Sequence, residues 1–270
     1  MRPFSVDCHA RRVSTPVRVG GVDLGASWKT TGSAELAFTT GEAGRFVSCR
    51  PDAVAWPQRP ITAAEMAAAI DTWAHGSGLR AVSIDGPQAW KDPREVHPGV
   101  GRACEYACKT PGKTGRHGVS FPRTWLKWIC FSIELFHHLR ALPHVVVANS
   151  VEPSTLQPLL PNGYYVLECF PTSAWRSSGL RPLPGHSKAP PPVVESHARA
   201  LWEAYGLPDW RGLQHHDHLQ AVVAALAGAA LVGGPCVSRP SGVPARRIPG
   251  DAGSPEHWTE GFIYDVSPRP

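Results

Sequence analysis

Four acidic residues of this chain stand where a folded protein can gather metal ligands. Three directly follow segments with the pattern of a buried strand, and the fourth opens an alanine-rich predicted helix: Asp23, Asp85, Glu168 and Asp217. In α/β sheets, ligands gather beyond the carboxyl ends of the strands, so acids placed there face a shared cleft. Like charges held close together are unfavourable unless a proton or a cation neutralises them. The positions of these acids therefore predict one cation-binding cleft that contains all four.

The chemistry expected of such a cleft is hydrolysis assisted by divalent metal ions. Mg²⁺ and Mn²⁺ both suit carboxylate oxygens and water as ligands. Two ions about 3.5–4 Å apart activate a water molecule and stabilise the leaving oxygen in phosphodiester cleavage. We predict two such ions, bridged by Asp23 and Asp85, with Glu168 and Asp217 completing their shells. The side chains of Arg102 and Lys188 are the predicted phosphate contacts.

Hydrophobic periodicity and capping residues place these acids on regular elements. Strands are predicted at 17–22, 33–39, 44–49, 80–84, 144–148 and 164–167, with a last edge strand at 262–264. Thr62 and Glu65 form a capping box that begins a helix, and Gly76 and Gly78 end it. Further helices are predicted at 125–139, 193–205 and 216–231. The segments 91–120 and 233–258 are predicted to be loops, and the proline-rich segment 181–192 is predicted to be extended.

The order of these elements predicts the fold class. Three antiparallel strands, a helix, a strand, a helix, a strand and a terminal helix follow the RNase H-like order. The prediction is an α/β domain at 17–266 with a mixed sheet, in which a three-strand antiparallel meander joins parallel strands flanked by helices. A flexible arm at 1–16 precedes it, and an inserted loop and helix occupy about 91–141. Because the first and fourth strands are neighbours in that fold, Asp23 and Asp85 are expected side by side.

Several short motifs also resemble one uncharacterised family. The motifs are Gly21-Val22-Asp23, Ile84-Asp85-Gly86-Pro87, Arg102-Ala103-Cys104-Glu105, Leu167-Glu168-Cys169-Phe170-Pro171, His216-Asp217-His218-Leu219-Gln220-Ala221 and Glu260-Gly261-Phe262-Ile263. Together they resemble the family called domain of unknown function 429, which is regarded as a group of RNase H-like nucleases. The resemblance spans 17–264 and implies a metal-dependent nuclease. It also leads us to expect an acid at the position of Gln220 and an aspartate at that of Glu105, so either 217 or 220 could supply the helix ligand.

Composition is compatible with a nucleic-acid partner and indicates a reducing compartment. The formal net charge is +5, with basic residues spread along the chain, which suits an anionic partner but does not demand one. Seven cysteines without a CxxC pair, and no apolar core segment within 1–16, favour a cytoplasmic protein. The most apolar run, 219–232, is too short to span a bilayer, so no membrane partner is expected.

Two other functions remain open from the sequence. The segment 22–27 looks like the first phosphate loop of sugar-kinase and actin-like ATPases, which share the strand order but normally need two such domains around ATP. A non-catalytic binding or scaffold protein of the same fold is the third possibility, and Gln220 favours it. Fold alone does not establish function.

The candidate residues also have purely structural interpretations. Asp23 can cap the turn that follows it, and Asp217 suits the positive end of a helix dipole. Glu168 can bond the backbone at the helix start near Thr172. The histidines at 215, 216 and 218 can bind zinc, although a solvated helix start explains them more simply.

Overall fold

A computed structural model describes residues 15–25, 28–41, 44–57, 59–95, 99–208, 211, 213, 215–250 and 255–269. The predicted flexible arm at 1–16 lies outside the described residues apart from its last two. The strands are β1 (Val17–Asp23), β2 (Gly32–Phe38), β3 (Phe46–Pro51), β4 (Leu79–Asp85), β5 (Lys113–Thr114), β6 (Ser120–Phe121), β7 (Val145–Val147), β8 (Tyr164–Cys169), β9 (Cys236–Ile248) and β10 (His257–Pro268). The helices are α1 (Ala63–Ser77), α2 (Ala103–Ala107), α3 (Leu126–Arg140), α4 (Pro171–Ser177), α5 (Pro191–Tyr205) and α6 (His216–Leu231).

Within the described residues, eight strands form one mixed sheet in the order β3-β2-β1-β4-β8-β10-β9, and β7 also pairs with β8. The first three strands form the antiparallel meander, and β1, β4 and β8 are parallel neighbours. Helix α6 packs against one face of the sheet, and α1 and α3 pack against the other. This arrangement is the predicted α/β mixed sheet of RNase H-like class.

The elements with the strongest local signals have the predicted form. The Thr62 hydroxyl accepts a hydrogen bond from the Glu65 backbone at 3.2 Å, and the Glu65 carboxylate accepts one from the Thr62 backbone at 2.9 Å. Gly78 ends α1 in the left-handed conformation, with φ of 63°, which glycine adopts without steric cost. Helix α6 spans the predicted 216–231 and is buried on nearly every side.

The carboxyl-terminal part of the sheet differs from the prediction. The predicted loop at 233–258 contains the long strand β9, and the predicted edge strand at 262–264 is part of β10, which lies between β8 and β9. Two prolines conceal β9 in the sequence. Pro240 lies on an edge strand, and Pro244 lies where the β9–β10 register shifts opposite Glu260. Proline is tolerated in both places because neither requires its missing N–H.

Two other predicted irregular segments are partly ordered into regular structure. The segment 91–120 contains α2 and the small hairpin β5–β6, and the Glu260 carboxylate anchors it by accepting hydrogen bonds from the backbones of Asp92 and Ala103. The segment 181–192 contains a short 3₁₀ turn at 186–188, and α5 already begins at Pro191. Proline fits the first turn of a helix, so the helix starts two residues before the predicted position. Among the described helices, none is long and apolar enough to cross a membrane.

Candidate metal site at the carboxyl edge of the sheet

Asp23 and Asp85 lie side by side at the ends of two parallel strands. They are register partners in the β1–β4 pair, and each is the last residue of its strand. Their carboxyl groups are hydrogen-bonded to each other. Because side chains alternate along a strand, Asp23 points to the same face as Gly21, which lies against α6. The sequence prediction that these two acids are neighbours therefore matches their positions.

Close backbone packing brings the start of α6 to the same place. A Cβ atom at Gly21 would lie 2.0 Å from the carbonyl oxygen of Ala221, and one at Gly32 would lie 2.2 Å from that of Asp217. Neither distance is possible for a real side chain, so both positions require glycine. The helix therefore rests directly on β1 and β2, with its first turn above the end of β1.

Asp23, His216 and Asp217 form a group that could hold a metal ion. Each offers one ligand atom, and these atoms all lie within 4.8 Å of one another. Asp217 and His216 are hydrogen-bonded, with 2.8 Å between Asp217 Oδ1 and His216 Nδ1. Asp23 is buried, whereas the other two side chains are partly exposed. The group is thus closed on the protein side and reachable from solvent.

Gln220, the other candidate position on α6, has a different partner. Its side-chain oxygen accepts a hydrogen bond of 2.8 Å from the Trp175 indole, and both residues are buried. Gln220 therefore serves the packing of α4 against α6, and Asp217 is the α6 residue beside Asp23. The sequence contained both candidates, but which of them faces β1 depends on the rotation of the helix, which only packing determines.

The two strand-end acids retain protons more strongly than ordinary carboxyl groups. Burial raises the pKa of Asp23 well above its usual value, and the nearby charges of Asp85 and Asp217 raise it further. Burial also raises the pKa of Asp85 to about 7, and the charge of Glu168 adds to the effect, whereas the hydrogen bond with Asp23 opposes it. A cation beside this pair would favour the charged form of both acids, because a nearby opposite charge lowers the pKa of a carboxyl group. The residues present therefore fit a divalent metal ion held by carboxylate oxygens.

Glu168 does not join this group. Its register partner in β4 is Ile84 rather than Asp85, so its side chain points to the opposite face of the sheet. There it accepts two hydrogen bonds from the Arg102 guanidinium, at 2.6 and 2.9 Å, and one from the Gln88 backbone at 3.0 Å. Burial raises the pKa of Glu168, and the Arg102 charge opposes that rise.

Arg102 is buried between acids rather than displayed on the surface. Only 1% of its side chain is exposed, and it bonds Glu105 as well as Glu168. Glu105 in turn accepts hydrogen bonds from the Thr114 backbone at 2.8 and 3.0 Å. In this structure the guanidinium is therefore fully engaged by protein partners, and its predicted contact with phosphate stays a prediction.

Lys188 is exposed and belongs to the short turn at 186–188. That turn lies beside the start of α6, since the rings of His186 and His216 have centroids 5.4 Å apart. The Nε2 atom of His216 also lies 3.0 Å from the carbonyl oxygen of Pro184. The segment that carries Lys188 is thus adjacent to the Asp217 side of the site.

Two features of the site were not predicted from the sequence. His216 was interpreted as part of a solvated helix start, yet it belongs to the group with Asp23 and Asp217; its adjacency to Asp217 was the available signal. A pocket beside Asp85 is lined largely by apolar side chains, including Trp125, Trp128 and Phe170. The Trp128 indole donates a 2.8 Å hydrogen bond to the backbone of Leu24, which ties α3 to the end of β1.

Sheet order and helix placement define this protein as an RNase H-like α/β domain. Neither a protein-family model nor a curated protein matches the chain. Among solved structures, the chain resembles Thermus thermophilus RuvC at 14% identity and a TM-score of 0.33, over 81% of this chain and 98% of that one.

Proposed function

We propose that this protein is a metal-dependent nuclease that hydrolyses phosphodiester bonds in nucleic acid, and that it belongs to the domain of unknown function 429. One observation carries the proposal: Asp23, Asp85 and Asp217 come from three distant parts of the chain and meet at one partly open edge. Acids held close together and partly buried are costly without a cation, so their convergence favours a cation-binding function. The +5 net charge suits an anionic substrate.

Each residue has a distinct role in the proposed site. Asp23, Asp85 and Asp217 would hold Mg²⁺ or Mn²⁺ through their carboxylate oxygens. When bound, such an ion lowers the pKa of a water ligand and neutralises charge on phosphate oxygens. His216 orients Asp217 through their hydrogen bond. Lys188, on the adjacent exposed turn, would contact the phosphate of the substrate.

The number of ions depends on Glu168. If Glu168 completes the shell of one of the two predicted ions, that ion competes with Arg102, which already bonds both oxygens of this carboxylate. Asp85 stands between the two groups, because its pKa responds to both Asp23 and Glu168. Counting bound Mn²⁺ by equilibrium dialysis in the wild type and in Glu168→Gln separates the two cases: an unchanged count favours Arg102 as the permanent partner of Glu168, and the loss of one ion favours its displacement.

Cleavage of labelled DNA and RNA by the purified chain tests the proposal directly. We expect cleavage that requires Mg²⁺ or Mn²⁺, is lost in Asp217→Asn, and survives in Gln220→Met, because Gln220 faces Trp175 instead of the acids. The exposed acid Glu195 supplies a matched control, Glu195→Gln, which should cleave like the wild type. Absence of cleavage by the wild-type protein with either metal and both substrates, or full activity of Asp217→Asn, would contradict the proposal.

A further inference from the structure

A second group of potential metal ligands lies at the opposite edge of the sheet. Asp71 and His75 stand one helical turn apart on α1, and His144 directly precedes β7. One ligand atom from each lies within 4.8 Å of the others. The group sits where β4 and β8 begin, whereas Asp85 ends β4. A seven-residue strand is about 20 Å long, so the two groups are separate sites.

The spacing of these atoms suits a zinc ion. The Nε2 atom of His144 lies 2.8 Å from Asp71 Oδ1. The Nδ1 atom of His75 lies 3.2 Å from the same oxygen and 3.0 Å from the main-chain oxygen of Asp71. Tetrahedral zinc with bonds of about 2.0–2.1 Å separates its ligand atoms by about 3.3 Å. Small movements of three side chains would therefore admit the ion. Two imidazoles and one carboxylate are a common zinc set and a poor magnesium set.

The surroundings of the group resemble the support that metal sites require. The Tyr164 hydroxyl donates a 3.0 Å hydrogen bond to Asp71 Oδ1, and the Tyr164 ring is buried in the core. Such a partner fixes the orientation of a ligating carboxylate. The side chains of Asp71 and His144 are each 24% exposed and that of His75 is 38% exposed. His75 also borders an open cavity with Arg80 and Asn162 along its wall.

We propose that Asp71, His75 and His144 form a Zn²⁺ site with one coordination position open to water or to an external ligand. The site is independent of the proposed nuclease centre, since it shares no residue with it and occupies the other edge of the sheet. Zinc there would join α1 to the segment before β7 and stabilise the folded state by its binding free energy.

Zinc titration of the metal-free chain tests this inference. The Asp217→Asn variant serves as the background, because Asp23, His216 and Asp217 offer a competing ligand group. In that background we expect one equivalent of Zn²⁺ by calorimetry and a rise in the unfolding midpoint. Adding His144→Ala or His75→Ala should weaken binding at least tenfold and remove the rise in midpoint.

A matched control distinguishes the site from adventitious histidine binding. His137 is exposed on α3, and His137→Ala should bind zinc like the background. Co²⁺ should give the intense visible absorption of a tetrahedral complex in the background and the control, and should lose it in His144→Ala. The inference is overturned by unchanged zinc affinity in both histidine variants, or by no zinc binding in the background. None of these measurements depends on nuclease activity.

Discussion

Two groups of buried charge flank the end of β4, and they differ in whether their charges are balanced. On the α6 side, Asp23 and Asp85 bond to each other and face Asp217, so one or more of them must carry a proton when no cation is present. On the other side, Glu168 and Glu105 enclose Arg102, and the charge of Arg140 also acts on Glu168, so two acids face two cations. Asp23 is buried like Glu168 and Glu105, so burial of charge alone does not identify a functional site. The unbalanced group is the one that has something to gain from a ligand.

The largest effect is expected from removing a cation of the balanced group. Arg102→Met leaves two buried carboxylates without their partner and should lower the free energy of unfolding by about 3–5 kcal/mol. Urea denaturation at pH 7 measures the change. Arg50→Met is the matched control, because Arg50 pairs with Glu35 while 58% exposed and should cost at most about 1 kcal/mol. Equal losses of unfolding free energy in the two variants would show that Arg102 stabilises the fold no more than an exposed arginine does.

The unbalanced group should respond in activity instead of stability. Asp23→Asn and Asp85→Asn remove a carboxylate from the proposed metal site, and cleavage should fall roughly 100-fold or more, which corresponds to about 3 kcal/mol of lost transition-state stabilisation. Steady-state cleavage of labelled nucleic acid with Mg²⁺ measures the loss. In metal-free buffer the same variants should unfold at the wild-type temperature or above it. Normal cleavage by either Asn variant would contradict the proposed role of that aspartate in metal binding.

The pH dependence of stability should carry the signature of the unbalanced acids. Burial raises the pKa of folded Asp85 to about 7 from an unfolded value of about 3.9, so the folded state binds the extra proton. Stability of the chelated protein should therefore fall as the pH rises from about 4 to about 7.

Unfolding midpoints measured across that range check this expectation. Asp85→Asn should flatten the slope but not abolish it, because burial also raises the pKa of Asp265 to about 6. The exposed control Glu195→Gln should retain the wild-type slope. A chelated wild-type protein that becomes more stable between pH 4 and 7 would contradict the assignment of unbalanced charge.

The smallest effect is expected from Lys188, outside both groups. Lys188→Ala should weaken substrate binding modestly and reduce the slope of log affinity against log salt concentration by about one, as for one lost phosphate contact. Arg80→Ala is the matched control, since Arg80 is an exposed base at the opposite edge of the sheet. Fluorescence anisotropy at several salt concentrations, with Ca²⁺ in place of Mg²⁺, measures the slope. Identical slopes for both variants would show that Lys188 does not contact a phosphate of the substrate.

Sequence reasoning succeeded where local signals agreed with tertiary packing. The ends of β1 and β4 are marked by Asp23 and Asp85 after apolar runs, and the fold class then implies that the two acids are neighbours. It failed for β9, because the prolines at 240 and 244 suppress the strand pattern on an edge that tolerates them. Hydrophobic periodicity indicates which residues can be buried, but the position of a strand in the sheet depends on partner strands far away in the chain.

The partners of individual charged side chains were the least predictable feature. Glu168 follows a predicted strand as the two aspartates do. It pairs with Ile84 rather than Asp85, however, and this one-residue difference in register turns its side chain to the opposite face of the sheet. Likewise, Asp217 and Gln220 are one turn apart on α6, and the Trp175 indole donates a hydrogen bond to Gln220. Neither register nor helix rotation is encoded by local spacing, because both depend on tertiary packing.

The glycines under α6 have a consequence for how the site tolerates mutation. Because the carbonyl of Asp217 touches Gly32 and that of Ala221 touches Gly21, main chain rather than rotamers sets the gap between helix and strand. Even a single methyl group at either glycine would push α6 away from the sheet. Asp217 would then move away from Asp23, although every acid of the site remained. Loss of activity with an intact set of carboxylates is therefore a failure mode built into this architecture.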